Sequence, residues 1–161
     1  MNRRKFLETT IIGAGGAISG VPGRLSAAQA FESRDGYIRH EADHWVIGTS
    51  AVEKITTLKD GRLVLTSFKN KSSGREYVQD NASSQEVRLT LDGQVITGVS
   101  QGWVLAGEDS HRLPEGELQL DLKLRNGPVE VSKHYVVYPG SPVIREWITV
   151  ANVSCPFGKP A

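Results

Sequence analysis

The chain has 161 residues, 39% of them hydrophobic and 23% charged, a composition typical of one soluble globular domain. The net charge is +1, and no cluster of lysine and arginine follows Arg3-Arg4-Lys5, which argues against nucleic acid or an anionic membrane surface as a partner. Cys155 is the only cysteine, so neither an internal disulfide nor a paired-cysteine metal site can form. We expect a neutral ligand, and Cys155 as a small buried residue.

The N-terminus has the features of an export signal. Arg3-Arg4 precede an apolar run at 11–21, and Ala28-Gln29-Ala30 is a small-residue site of the kind that signal peptidase cleaves. The run is shorter than the roughly 20 apolar residues of a membrane span. We predict a twin-arginine signal peptide at 1–30 and an exported, periplasmic or extracellular chain without membrane attachment; the alternative is an ordinary helix. Cleavage after Ala30 removes four basic and one acidic side chains and leaves a net charge of −2.

The next segment, residues 31–43, is polar and aperiodic, so we predict a flexible arm there. Beyond it, Asp60-Gly61 and Asp92-Gly93 each separate two β-type runs. Asp-Gly is a strong hairpin signal, because both central positions of the favoured turn need a positive φ. With a two-residue loop, Leu58 lies opposite Leu63 in the first hairpin.

The clearest alternation of the chain lies at 118–125, where four leucines are interleaved with polar residues and predict a strand with one buried face. Residues 107–116, with mixed charges and a proline, are predicted to be a loop before it. Asn126-Gly127 predicts a turn after it, with Leu124 opposite Val129 and Lys123 opposite Glu130.

The last part of the chain, 134–154, is predicted to be a long hairpin around a Pro-Gly-Ser-Pro connection. Apolar residues on both faces indicate strands that are covered on two sides or that lie at a domain contact. No helical period appears after residue 31. Nine or ten short strands with turn signals between them predict an all-β fold, an antiparallel β-sandwich or barrel.

A sugar site would combine aromatic and polar side chains, because sugars bind to aromatic rings flanked by polar groups. The carbohydrate-contact candidates are Trp45, Trp103, Tyr77, Arg75 and Glu76. The alternative for each tryptophan is a place in the core, where such residues are usually found. Burial is expected above all for Trp147, which lies within an apolar run.

No catalytic group, metal site or cofactor is predicted. Glycoside hydrolysis uses two carboxylates about 5 to 9.5 Å apart, and only Glu76 and Glu146 have apolar or aromatic neighbours. Structural ion pairs are the alternative and the favoured interpretation for both. The four histidines show no ligand spacing within one element, so a metal site could arise only by long-range convergence.

Several short motifs follow one another in a characteristic order between residues 44 and 154. They are Trp45, Ile47-Gly48-Thr49, Val52-Glu53, Asp60-Gly61-Arg62-Leu63, Asn70, Ser73-Gly74-Arg75-Glu76-Tyr77, His134-Tyr135, Tyr138-Pro139-Gly140, Pro142-Val143-Ile144-Arg145 and Asn152. This order resembles the N-terminal β-domain of α-galactosidase-like enzymes of glycoside hydrolase family 36, and the segment at 138–145 is the sharpest part of the likeness.

The resemblance implies that 44–161 is a galactose-mutarotase-like supersandwich, incomplete at its end, that precedes a catalytic (β/α)-barrel. The family's nucleophile lies in that barrel within a Lys-Trp-Asp motif, which this sequence lacks. No catalytic residue is therefore carried over, and the chain alone is not expected to hydrolyse glycosides.

The expected function is that of a non-catalytic domain of an exported α-galactosidase-like enzyme, which supports binding of a galactoside-type carbohydrate and packs against the barrel. Tyr138, Arg145 and Trp147 are the expected packing interface, with the barrel or a second copy of the chain as the partner. The alternatives are a stand-alone carbohydrate-binding module and a structural sandwich for protein contacts.

Overall fold

The computed structural model describes residues 29–80 and 84–153, and within these ranges the regular structure consists of strands. In chain order the strands are β1 Gln29–Ser33, β2 Gly36–Glu41, β3 His44–Gly48, β4 Val52–Lys59, β5 Arg62–Asn70, β6 Arg75–Glu76, β7 Arg88–Leu91, β8 Gln94–Thr97, β9 Val104–Arg112, β10 Leu118–Asn126, β11 Val129–Val137 and β12 Ile144–Asn152. The described residues include no helix long and apolar enough to span a membrane.

Three antiparallel sheets are formed. Strands β1 to β6 follow one another in a six-stranded sheet, β9 to β12 form a four-stranded sheet in the order β12-β11-β10-β9, and β7 and β8 form a hairpin of their own. The two larger sheets contribute to one hydrophobic core, the arrangement of a β-sandwich. The all-β, antiparallel fold is confirmed. The supersandwich type stays a prediction.

The prediction of a flexible arm at 31–43 is wrong, because β1 and β2 occupy most of this segment. Ile38 pairs with Ile47 of β3, and both side chains are 2% exposed. The Asp35 carboxylate also accepts hydrogen bonds from the Ser50 hydroxyl at 2.7 Å and the Gly140 N–H at 2.6 Å. Pairing with β3 orders a polar stretch whose own pattern is too weak to indicate a strand.

Both Asp-Gly hairpins are confirmed. Leu58 lies opposite Leu63, and the turn residues have positive φ in each case, 51° and 69° at Asp60 and Gly61, and 48° and 78° at Asp92 and Gly93. Gly61 also lies so close to Gly102 that a Cβ added at Gly61 would be 2.9 Å from the backbone nitrogen of Gly102. The first turn thereby fixes the chain just before Trp103.

The region before and after β10 differs from prediction in two ways. The predicted loop at 107–116 is wrong, since β9 continues to Arg112 in register with β10. The predicted β10–β11 register is also wrong: Leu124 pairs with Val131, and Asn126 is the last residue of β10. The turn is Gly127-Pro128, because a positive φ of 57° at Gly127 followed by the fixed φ of proline matches a type II′ turn.

The core lies between the two large sheets. The four leucines of β10 are fully buried, and Val131, Tyr135 and Val137 of β11 lie beside them. Trp103 fills the end of the core near β7 and β8, and its indole N–H donates a hydrogen bond to the Thr97 carbonyl at 2.8 Å. One face of the four-stranded sheet is therefore committed to packing, and its outer face is left for other contacts.

Candidate functional site

Two of the predicted carbohydrate contacts are buried. Trp45 is 2% exposed and Trp103 is 1% exposed, so neither ring offers a face to a ligand. Trp45 stacks on His40 with ring centroids 4.8 Å apart, and Trp103 is held in the core by its bond to Thr97. The prediction of surface contacts at these two tryptophans is corrected, and the core alternative is the right one.

The other three candidates do lie together, at the edge strand β6. Tyr77 is 48% exposed. The guanidinium of Arg75 lies 5.1 Å from its ring centroid, and the Phe68 ring lies 5.7 Å away. A surface cavity of about 400 Å³ is lined in part by Phe68, Tyr77 and Val78. Tyr77 is the one predicted contact whose ring is accessible.

The third member of this group, Glu76, has a structural role. Its carboxylate accepts hydrogen bonds from the Ser67 hydroxyl at 2.6 Å and from the N–H groups of Phe68, Val78 and Tyr77 at 2.8, 2.9 and 3.0 Å. These hydrogen bonds lower the pKa of Glu76 from 4.5 to about 2, and the bond from the Ser67 hydroxyl has the largest effect. A carboxyl group so firmly ionised is a poor general acid near neutral pH.

A network of buried charges crosses the sandwich. Glu86 interacts with Lys54 at 3.1 Å and with Lys133, and the Tyr135 hydroxyl donates to Glu86 at 2.8 Å. Burial opposes ionisation of Glu86, but the two lysines outweigh it and hold the pKa of this carboxyl below its ordinary value. Burial and the neighbouring Glu86 charge raise the pKa of Tyr135 well above 10.

The network extends to the last strand through Glu146. Its carboxylate lies 2.6 Å from Lys54 and 3.6 Å from Lys133, and 45% of this side chain is exposed. The structural ion pair favoured from the sequence is thus present, although the partners lie on β4 and β11. Two lysines and two glutamates balance in charge, so the network links the two sheets through compensated ion pairs.

The outer face of the four-stranded sheet carries a row of side chains that cross all four strands. Asp109, Asp121, His134 and Trp147 are direct neighbours in the β9-β10-β11-β12 register. His134 Nδ1 lies 2.7 Å from Asp121, and its ring stacks on Trp147 at 4.8 Å. We call these four residues the outer-face row. The sequence does not indicate this row, because Asp109 lies within the segment 107–116 that is predicted to be a loop.

Trp147 is 37% exposed, so the expectation of its burial is wrong. His134 covers one side of the indole, and the Arg145 guanidinium lies 5.1 Å from the ring centroid. Of the expected packing interface, Arg145 and Trp147 lie side by side and exposed on β12. Tyr138 lies in the preceding turn and is half-buried.

Strand β12 is an end strand of its sheet and is exposed on both faces. Large apolar side chains at or beside it are 37 to 51% exposed: Val143, Trp147, Ile148, Val150 and Val153. Below its inner face lies a cavity of about 310 Å³, lined in part by Ile96, Val129 and Val150. We refer to this surface as the β12 edge.

Comparison with protein-family models, with curated proteins and with solved structures returned no match. The family resemblance therefore stays a prediction from the motifs of the sequence. The signal peptide and Cys155 lie outside the described residues, apart from Gln29 and Ala30 in β1.

Proposed function

We propose that this chain is a non-catalytic β-sandwich domain of an exported α-galactosidase-like glycoside hydrolase, and that its β12 edge packs against the catalytic barrel of that enzyme. One observation carries the proposal: β12 has exposed apolar side chains on both of its faces. In this role the domain supports binding of a galactoside-type carbohydrate by the enzyme as a whole.

The two edges of the four-stranded sheet differ in a way that supports the proposal. Edge strands of soluble proteins are usually protected by charged residues, prolines or bulges. β9 also starts with two exposed apolar residues, Val104 and Leu105. Unlike β12, however, it continues with the charged residues Glu108, Asp109 and Arg112 and has a register shift against β10. β12 is uncharged from Trp147 to Asn152. An unprotected edge beside exposed apolar side chains is typical of a surface that another protein segment covers.

The carboxylates near apolar groups support a non-catalytic role. Glu76 is fully engaged by a hydroxyl and three backbone N–H groups, and Glu86 is held between two lysines. Glu146 bonds to Lys54 across the sandwich. Both of the carboxylates that the sequence suggested for hydrolysis, Glu76 and Glu146, therefore have structural partners.

The test has two parts. The full chain alone is expected to give no hydrolysis of p-nitrophenyl α-galactoside, and measurable turnover would overturn the proposal. Co-expressed with the product of the open reading frame immediately downstream, the full chain is expected to co-purify with it. Val150→Asp on β12 should prevent this, whereas the matched change Val104→Asp on β9 should not. Loss of co-purification in both variants, or in neither of them, would contradict an interface at β12.

A stand-alone carbohydrate-binding module is the second candidate, and the exposed ring of Tyr77 favours it. The structure gives this candidate less support than the sequence does, because Trp45 and Trp103 are buried. Titration of the full chain with galactose and melibiose tests it. Binding that is lost in Tyr77→Ala and retained in Tyr37→Phe would support a binding module, and no heat of binding would exclude it for these sugars.

A further inference from the structure

Three side chains with metal-binding atoms converge on the outer face of the four-stranded sheet, away from the β12 edge. Asp109, His111 and Asp121 each offer one such atom, and these atoms lie within 4.8 Å of one another. Asp109 and His111 are two residues apart on β9 and so share a face. Asp121 lies directly opposite Asp109 on β10. Local spacing on β9 brings Asp109 and His111 together, and the strand register adds Asp121.

The electrostatics of this cluster favour a cation. Two like charges directly opposite each other in an antiparallel pair destabilise the sheet. Among the described residues, the ion-pair partners of Asp109 and Asp121 are His111 at 2.9 Å and His134 at 2.7 Å. A cation bound between the two carboxylates would relieve this repulsion.

Neighbouring side chains hold Asp121 in place. The Gln119 amide donates to both of its oxygens, at 2.8 and 3.1 Å. His134 contacts it through Nδ1 at 2.7 Å, and His134 Nε2 lies 3.2 Å from the Thr149 hydroxyl. Outer partners of this kind orient the ligands of metal sites. Trp147 stacks on His134 and fixes the plane of its ring.

We propose that Asp109, His111 and Asp121 bind a divalent transition-metal ion, with Zn²⁺ as the best fit, and that His134 is a positioning residue for Asp121. Carboxylates combined with imidazole suit Zn²⁺, whereas Ca²⁺ and Mg²⁺ prefer oxygen ligands alone. Ligand bonds of about 2.0 to 2.2 Å bring the three atoms closer together, a change that side-chain rotation on an open face allows. Three protein ligands leave a coordination position for water or an external ligand.

Isothermal titration of the full chain with ZnCl₂ tests the proposal. We expect one Zn²⁺ site per chain. His111→Gln and Asp109→Asn each remove a ligand and should lower the affinity for Zn²⁺ at least about 10-fold, because the loss of a residue that only orients a ligand already costs about that much. His134→Gln should cost about 10- to 100-fold. The matched control is His44→Gln, because His44 also lies beside two carboxylates, Asp43 at 3.2 Å and Glu41 at 3.7 Å.

Tryptophan fluorescence gives a second readout that a merely structural change would not mimic. Zn²⁺ should change the emission of the wild-type chain, and EDTA should reverse the change. Trp147→Phe should abolish the signal and keep the heat of binding. Absence of binding at millimolar Zn²⁺, or equal affinity in wild type and in both ligand variants, overturns the proposal. Loss of Zn²⁺ binding only in His44→Gln would also overturn the proposal. Circular dichroism of each variant verifies that it is folded.

Discussion

Strands β10 and β12 belong to the same sheet, separated by β11, and each has nine residues, yet their surroundings are opposite. The inward leucines of β10 are completely buried between the sheets, with strands on both sides. β12 pairs only with β11, and every residue after Ile144 is exposed. Apolar content alone therefore does not say whether a strand is covered.

The contrast separates what stabilises this domain from what the domain offers to others. The inward leucines of β10 and the inward side chains of β11 lie in the core, and β11 also contributes Lys133 to the buried charge network. β12 adds exposed apolar surface and one ion pair to the opposite sheet, between Glu146 and Lys54. Changes in β10 or the network should alter stability, and changes in β12 should alter association.

The largest effect is expected at the centre of the charge network. Glu86→Gln leaves Lys54 and Lys133 buried with less compensation, so we expect a loss of about 3 to 5 kcal/mol in the free energy of unfolding. Chemical denaturation of wild type and variant measures it. Glu146→Gln is the matched control, because this half-exposed side chain at the edge should cost about 1 kcal/mol or less. Equal losses would mean that β12 is as integral to the fold as the core.

The next effect compares the two strands directly. Leu122→Ala removes a side chain with 0% exposure, and we expect a loss of about 2 to 5 kcal/mol. Ile148→Ala removes one that is 38% exposed, and the expected loss is below about 1 kcal/mol, since little burial is given up. Urea midpoints at constant m-value check both. A loss at Ile148 as large as at Leu122 would contradict an open β12 edge.

The smallest effect concerns Glu76 and acid pH. Its folded pKa of about 2 lies below the ordinary 4.5. The stability it contributes is therefore complete above pH 4.5 and is lost as the pH falls towards 2. Because this side chain is exposed, the contribution should stay under about 1 kcal/mol. Glu76→Gln should flatten the dependence of unfolding free energy on pH in that window, and an unchanged slope would rule out this role for Glu76.

The sequence was sufficient where local pattern determines structure. Alternating leucines predicted β10, and two Asp-Gly turns predicted their hairpins, because positive φ at both turn positions is a local demand. It failed for β1 and β2, whose ordering depends on pairing with β3. The predicted register of β10 with β11 is wrong because the turn is formed by Gly127-Pro128 and not by Asn126-Gly127.

The candidate sites were harder to predict for a physical reason. Burial of Trp45 and Trp103 depends on which face of the sheet meets the core, and that is set by distant strands. The cluster of Asp109, His111 and Asp121 depends on β9 pairing with β10. Spacing within β9 accounts only for Asp109 and His111, and their place on a common strand face is lost when this segment is predicted to be a loop. The contact of Glu146 with Lys54, 92 residues apart, is likewise a product of the tertiary fold.

Amide hydrogen exchange along β12 tests the central claim most directly, with β10 as the internal reference. In the full chain alone, we predict fast exchange in β12 and slow exchange in β10. With the downstream protein bound, β12 should gain protection while β9, the opposite edge, stays unchanged. Protection of β12 equal to that of β10 in the chain alone, or protection gained at β9 instead, would contradict the assignment of β12 as the packing edge.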